Sequence, residues 1–183
     1  MANWTVVEGL LSDGMPMRMY LAEHGGKLWA AALHDDDHPR TEAEFMWGLG
    51  DSAQWRRCEV RTAPDVVKSA AAQITEYFSG GRETFDLPME LRGTTFQTQV
   101  WRQLLAIPFG SVASYAEIAA AIGHEKAVRA VGNANGRNNL PVFVPCHRVI
   151  ASGGGLGGFT GGIGLKKRLL AHESAVLARR PAA

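Results

Sequence analysis

Two helix-start signatures, Thr94-x-x-Gln97 and Ser114-x-x-Glu117, restrict the fold of this chain more than any other local pattern. In each, a hydroxyl can accept from the backbone N–H three residues on while the Gln or Glu side chain reaches back, which pins the first turn of a helix. After Thr94, the residues Phe96, Val100, Trp101, Leu104 and Leu105 recur at helical spacing until Pro108 stops the run. After Ser114 a second helix runs from Tyr115 to about Ile122 and stops at Gly123. Beyond the turn Gly123-His124-Glu125 a third helix is expected from Lys126 to about Ala134. Two short helices across a tight turn have helix-turn-helix spacing. The third helix carries almost no long side chain except Lys126 and Arg129. It lacks the Asn, Gln or several Arg that read base edges, so it suits sequence-independent DNA binding or close packing against a neighbouring helix.

The first half reads differently. WTVVEGLL, MPMRMYLA and GKLWAAALH are short strands separated by Gly, Asp and Pro signals, which predicts a small antiparallel sheet. Residues 35–62 show no sustained period and are read as loop, with room for a short helix around Glu42 to Trp47. From Pro64, the apolar residues Val66, Val67, Ala70, Ala71, Ile74, Tyr77 and Phe78 define an amphipathic helix that Gly80-Gly81 closes. The segment GGRETFDLPMELRG reads as a strand and connector between the halves.

At 183 residues and 46% hydrophobic, the chain can hold one domain or two small ones. No stretch approaches the roughly 18 unbroken apolar residues of a membrane span, and MANWTVVEGL lacks the order of a signal peptide, so no membrane association and a cytoplasmic location are expected. The net charge of +1 hides a division. Residues 1–92 hold 9 Lys/Arg against 15 Asp/Glu, a net −6, whereas residues 93–183 hold 10 against Glu117, Glu125 and Glu173, a net +7. The asymmetry suits an anionic partner for the second half, and equally an attraction between the halves.

The chain has two cysteines, Cys58 and Cys146, too few for a disulfide framework. Cys146 follows the apolar, strand-like run Leu140-Pro141-Val142-Phe143-Val144 and lies in Pro145-Cys146-His147-Arg148-Val149, which delivers a thiol, an imidazole and a guanidinium together. A free thiol with a pKa of about 8.5 is only a few per cent ionised at pH 7, so a nucleophilic Cys146 needs a base, and the neighbouring positive charges are expected to favour the thiolate. His147 has the right chemistry. Neighbours in sequence generally point apart, which favours a bridging water over direct contact. Glu173 is the only carboxylate after Glu125, and Lys166, Leu169, Leu170 and Glu173 share a mostly apolar helical stripe that turns Glu173 inward. The segment from Ser152 to Gly164 is glycine-rich but lacks a Gly-Lys-Ser/Thr ending, so it reads as a flexible lid walled by Leu156 and Phe159, and no nucleotide cofactor is expected.

Ser114-Tyr115, Arg129-Ala130-Val131-Gly132, Asn138, Pro145-Cys146-His147-Arg148-Val149, Gly161-Gly162 and Leu169-Leu170-Ala171-His172-Glu173, in this order and spacing, resemble the 6-O-alkylguanine-DNA alkyltransferases. The resemblance is specific from about Arg92 to Glu173, looser over Pro64 to Phe78 and weak over residues 1–62. It implies an α+β protein. An N-terminal, small ribonuclease H-like antiparallel sheet domain with a helix would span residues 1–91. A mainly helical DNA-binding domain containing a helix-turn-helix would span 92–175, followed by a tail, 176–183. It further implies repair of double-stranded DNA by a monomer without a cofactor. The alkyl group of 6-O-alkylguanine, with 4-O-alkylthymine as a further candidate, would move irreversibly to Cys146 after the base is flipped out, once per molecule.

The resemblance also distributes roles. Cys146 is the acceptor, His147 relays its proton and Glu173 completes the relay. Tyr115 donates to the base or crowds a phosphate, and Arg129 is a finger that fills the place of the flipped base. Ser114, Ala127, Ala130, Gly132 and Thr95 face DNA. Val149, Phe159, Thr160 and Lys166 surround the base, while Asn138, Pro145 and Arg148 support the turn that carries the thiol. Asn139 stands where many members have proline, and Phe159 where others have tyrosine. Some members hold a structural zinc through N-terminal Cys and His, but the N-terminal half here has only Cys58, so no metal is expected. A cysteine hydrolase pairing Cys146 with His172 or His124 is one alternative. A non-catalytic sensor of alkylated bases is another, although such sensors carry Trp in place of the cysteine.

Overall fold

The apolar runs of the first 34 residues, with Trp4, Thr5, Val6, Val7, Tyr20 and Trp29 among them, form three long strands: β1 (Ala2–Leu10), β2 (Pro16–His24) and β3 (Lys27–His34). The computed structural model describes residues 2–34, 42–50 and 54–179, and its contacts fall into two units, Met1–Glu90 and Leu91–Ala183. In the first unit β1 pairs with β2 and β2 with β3, all antiparallel. The register sets Val7 opposite Met19 and Thr5 opposite Leu21 on one face, and Trp4 opposite Ala22 and Val6 opposite Tyr20 on the other.

The region read as loop over residues 35–62 holds more order than its sequence shows. Residues 35–41 and 51–53 lie outside the described residues. Between and after them come α1 (Glu42–Leu49) and β4 (Trp55–Arg57), and β4 runs parallel to β1. The order is β3-β2-β1-β4, so the sheet is mixed rather than antiparallel. A three-residue strand containing Arg56 and Arg57 is too short and too polar to show an alternation.

Helices cover both faces. Phe45 of α1 joins Trp4, Tyr20, Ala22, Ala30 and Ala32 in one cluster, with the rings of Tyr20 and Phe45 stacked at 5.1 Å. On the opposite face α2 (Asp65–Phe78) lays Phe78 over Gly9, where a Cβ would sit 2.6 Å from the ring. This double cover explains why β2 is buried without a break from Met19 to Glu23 instead of alternating there. The segment Gly80 to Gly93 forms no strand. It meets β3 at a single bridge, Leu28 with Met89.

The second unit is built from α3 (Thr95–Leu104), α4 (Tyr115–Ala121), α5 (Val128–Gly136) and α6 (Ile163–Ala178), with a two-stranded parallel sheet of β5 (Ala113–Ser114) and β6 (Val149–Ile150). Thr94 and Ser114 both close complete capping boxes, with Gln97 and Glu117 respectively. Gly123 ends α4 at φ +74, which lets its N–H reach Ala120 O and the His124 N–H reach Ala119 O. The third helix starts later than its sequence suggests. Glu125–Ala127 form a 3₁₀ turn, no side chain caps the start of α5, and α5 proper runs on to Gly136. The Trp101 indole donates to Ala134 O at 2.8 Å and so locks α3 to α5. α6 reaches past residue 175 to Ala178 with Val176 buried, into the segment read as a tail.

Candidate active site around Cys146

The apolar run before the thiol is a turn, not a strand. Val144 N–H donates to Leu140 O at 2.8 Å, and Val142 adopts φ +73, the one non-glycine positive φ among the described residues. Pro141 has no N–H to give a ladder, and Asn138 supplies the turn's missing partners. Its amide donates to Val144 O at 2.8 Å and its oxygen accepts from Leu140 N at 2.9 Å. A β-branched residue in that conformation is strained, so the turn persists because Asn138 and the buried side chains of Leu140, Phe143 and Val144 over-determine it. Pro145 then leads into a 3₁₀ turn, Cys146–Arg148, that places all three side chains inside the unit.

His147, Arg148 and Glu173 form one buried array, each at most 4% exposed. His147 Nε2 lies 2.7 Å from Glu173 Oε1. The Arg148 guanidinium donates to both Glu173 oxygens at 3.0–3.2 Å and to Ile107 O at 2.7 Å, while Gly110 N–H donates to Glu173 Oε2 at 2.8 Å. Burial alone would raise the Glu173 pKa. The hydrogen bonds and charges of His147 and Arg148 outweigh it and hold the carboxyl down to about 2. Burial lowers the His147 pKa, with Glu173 opposing and Arg148 assisting. These directions set the tautomer: beside an ionised Glu173, a neutral His147 carries its proton on Nε2, leaving Nδ1 as an acceptor. Nδ1 is buried and has no protein hydrogen-bond partner.

The thiol itself corrects the expectation that adjacent positive charge favours the thiolate. Burial pushes the Cys146 pKa up to about 11, against a hydrogen bond from Asn138 and the charge of Lys166. The Arg148 guanidinium, two residues on, is spent on Glu173, and burial keeps the resting group a neutral thiol.

Pairing of β5 with β6 brings the start of α4 to the thiol's strand: Ala113 lies opposite Val149 and Ser114 opposite Ile150. Tyr115 is therefore in electrostatic contact with Cys146. Burial first, and that contact second, raise the phenol pKa. Its hydroxyl lies 3.4 Å from Gly158 O, and a Cβ on Gly157, which sits at φ +66, would lie 2.6 Å from the phenol oxygen. Only glycine allows that approach. Tyr115, Val128, Arg129, Gly132, Asn133, Gly136, Gly158, Phe159 and Thr160 line a groove of about 540 Å³. Thr160 donates to Gly136 O at 2.6 Å, tying the glycine-rich segment to α5. Arg129, Ala130 and Thr95 are exposed, and Ala127 and Gly132 are half-buried. Lys166 is fully buried and donates to the Val149 and Leu156 carbonyls.

One contact has no counterpart in the sequence reading. Asn135, 2% exposed on α5, donates to the Cys146 carbonyl at 3.3 Å. A polar residue among Val131 and Ala134 on a packed helical face was the signal available for it.

A cysteine next in sequence to a histidine that a buried carboxylate orients is an arrangement in which a thiol can act as a nucleophile. The profile of the family described as "6-O-methylguanine DNA methyltransferase, DNA binding domain" matches residues 95–175. A constitutive methylated-DNA–protein-cysteine methyltransferase from Bacillus subtilis is 53% identical over 103 residues, which span 56% of this chain and 62% of that relative. One from Mycobacterium tuberculosis H37Rv is 49% identical over 110 residues, 60% of this chain and 67% of the relative. A crystal structure of a Mycobacterium tuberculosis O6-methylguanine methyltransferase superimposes with a TM-score of 0.75 at 35% identity, covering 100% of this chain and 97% of that one. The structure of such a mycobacterial protein in complex with DNA gives 0.75 at 36% identity, covering 95% and 94%. The chain belongs to the methylated-DNA–protein-cysteine methyltransferase family.

Proposed function

We propose that this chain repairs alkylated DNA by irreversible transfer of a methyl or larger alkyl group from the exocyclic oxygen of guanine, with thymine as a second target, to Cys146. The observation that carries this reading is the buried array of Cys146, His147, Glu173 and Arg148 in a chain of this family. The relatives' names and the DNA complex of the mycobacterial protein support it.

The chemistry follows from the charges. His147 Nδ1 takes the Cys146 proton through a bridging water while Glu173 stabilises the imidazolium. The sulfur bonds to the alkyl carbon as the carbon–oxygen bond breaks, and Tyr115 donates to the departing guanine. Removing the proton only during reaction reconciles a resting thiol near pKa 11 with a strong nucleophile. The product is a thioether that nothing in the site can cleave, so each molecule acts once.

Reaching that oxygen requires the nucleotide to leave the duplex. In our reading α4 and α5 act as a helix-turn-helix, with Ser114, Thr95, Ala127, Ala130 and Gly132 at the DNA and exposed Arg129 entering the stack. The flipped base occupies the space bounded by Val149, Phe159, Thr160 and Lys166. Residues 1–91 form a ribonuclease H-like domain, supported by the β3-β2-β1-β4 order, and residues 92–175 form the DNA-binding domain. The protein acts as a cytoplasmic monomer. Among the described residues no helix is long and apolar enough to cross a membrane.

Incubation with a duplex holding one 6-O-methylguanine, followed by peptide mass spectrometry, tests the reading. A methyl group on Cys146, absent in Cys146→Ser, is expected. Tight lesion binding without an adduct would make the protein a sensor, and neither binding nor adduct would favour a thiol hydrolase.

A further inference from the structure

Asn135 lies 2% exposed on the packed face of α5, and its amide donates to the Cys146 carbonyl at 3.3 Å. A carbonyl can only accept, so this contact fixes which end of the amide faces Cys146 and leaves Oδ1 as an acceptor beside it. The same carbonyl accepts from Val149 N–H, so the residue that carries the thiol is held from two sides. Among the described residues, Asn135 Oδ1 and His147 Nδ1 are buried acceptors with no protein donor. They meet at one place, since Asn135 is bonded to Cys146 and His147 is the next residue of the same 3₁₀ turn. Asn138 does not supply the donor, because its amide is engaged by Val144 O and its oxygen by Leu140 N–H. Native interiors avoid buried acceptors without donors, and one water molecule, with two O–H groups, satisfies both.

We propose that Asn135 is a positioning residue for proton transfer: its side-chain oxygen and His147 Nδ1 together hold the water molecule that bridges Cys146 to His147. The proposal rests on Cys146 being the alkyl acceptor and deepens that reading. The water donates one hydrogen to Nδ1 and the other to Oδ1, and a lone pair accepts the thiol S–H, which gives it about the three partners usual for a buried water. As the sulfur bonds to the alkyl carbon and the carbon–oxygen bond breaks, the thiol proton passes to the water and the water's own proton to Nδ1. The water is restored, and the electron pair of the broken bond leaves with the base. The hydrogen held by Oδ1 is not transferred; it keeps the other aligned between sulfur and imidazole. The titratable and charged groups facing this relay are Glu173 and Lys166 from α6, Arg148 from the same turn and Tyr115 from α4, while α3 and α5 add only the exposed Arg102 and Arg129.

The test follows alkylation of Cys146 by iodoacetamide, whose carbon bonds to the sulfur as iodide leaves, from neutral to strongly alkaline pH, with peptide mass spectrometry separating Cys58. Burial lowers the His147 pKa, so the imidazole is a neutral base throughout this range. In Asn135→Leu, similar in volume but without the amide, the rate at neutral pH should fall roughly tenfold or more. That loss should close as the pH passes about 11, where the thiol ionises without the relay. No loss, or the same loss at every pH as a merely displaced thiol would give, would overturn the proposal. A second measurement needs no variant. A crystal structure of the resting protein should show one water molecule within hydrogen-bond distance of both His147 Nδ1 and Asn135 Oδ1, and a water on only one of them, or on neither, would also overturn it. Neither experiment contains DNA, so both remain decisive even if transfer from guanine fails.

Discussion

Both units bury mostly apolar side chains, but the cluster that distinguishes each is of a different kind. In the first, stacked and tilted aromatic rings of Trp4, Tyr20 and Phe45 fill the space between α1 and the sheet. In the second, the residues packed behind the thiol are His147, Arg148, Lys166 and Glu173, all at most 4% exposed. Apolar residues of similar volume would stabilise the second interior at least as well, since burying charges costs several kcal/mol per ion before pairing returns any of it. In the proposed mechanism this charged array serves proton movement and charge development, and its stability depends on every partner staying in place.

The largest expected effect is on chemistry alone. Cys146→Ser should abolish transfer in a mass assay while leaving binding to unmodified duplex intact. Next come two substitutions that separate the units. Arg148→Met, which leaves Glu173 buried without its guanidinium, should cost about 3–5 kcal/mol in urea unfolding and slow transfer as well. Tyr20→Ala should cost about 3–5 kcal/mol through a cavity in the aromatic cluster, yet leave the transfer rate of the folded molecules unchanged. Equal effects of the two on rate would break the comparison.

The pH dependence of stability sharpens it. Glu173, held near 2 against an ordinary 4.5, contributes stability that is complete above pH 4.5 and lost as the pH falls toward 2. Cys146, raised to about 11 from 9.0, contributes below pH 9.0 and loses that contribution as the pH rises toward 11. Glu173→Gln should therefore flatten the acid limb of unfolding free energy against pH, and Cys146→Ser the alkaline limb. The smallest effect is local. Ser114→Ala removes the cap of α4 and should cost about 0.5–2 kcal/mol in the same unfolding assay.

What could be read from the sequence follows how local each signal is. The starts of α3 and α4 were legible to the residue because a cap and its partner lie three positions apart. The three long strands were legible from their turn signals. β4 was not, since its partner β1 lies some fifty residues away and Trp55–Arg57 carry no alternation of their own. The turn at Leu140–Val144 looked like a strand because its backbone partners come from the Asn138 side chain, which no periodicity reveals. At the site, motif spacing singled out Cys146, His147 and Glu173. The raised thiol pKa was missed because burial, not neighbouring charge, sets it, and burial is a property of the whole unit. Asn135 was missed because its contact with the Cys146 carbonyl exists only once α5 packs beside the turn.

In the proposed function the charged interior serves one transfer per molecule. Mixing the protein with a severalfold excess of 6-O-methylguanine duplex and counting lesions lost per protein tests it most directly. A plateau at one lesion per molecule is expected, matched by one methyl group on Cys146. Continued loss beyond one, with an unmodified thiol, would contradict it.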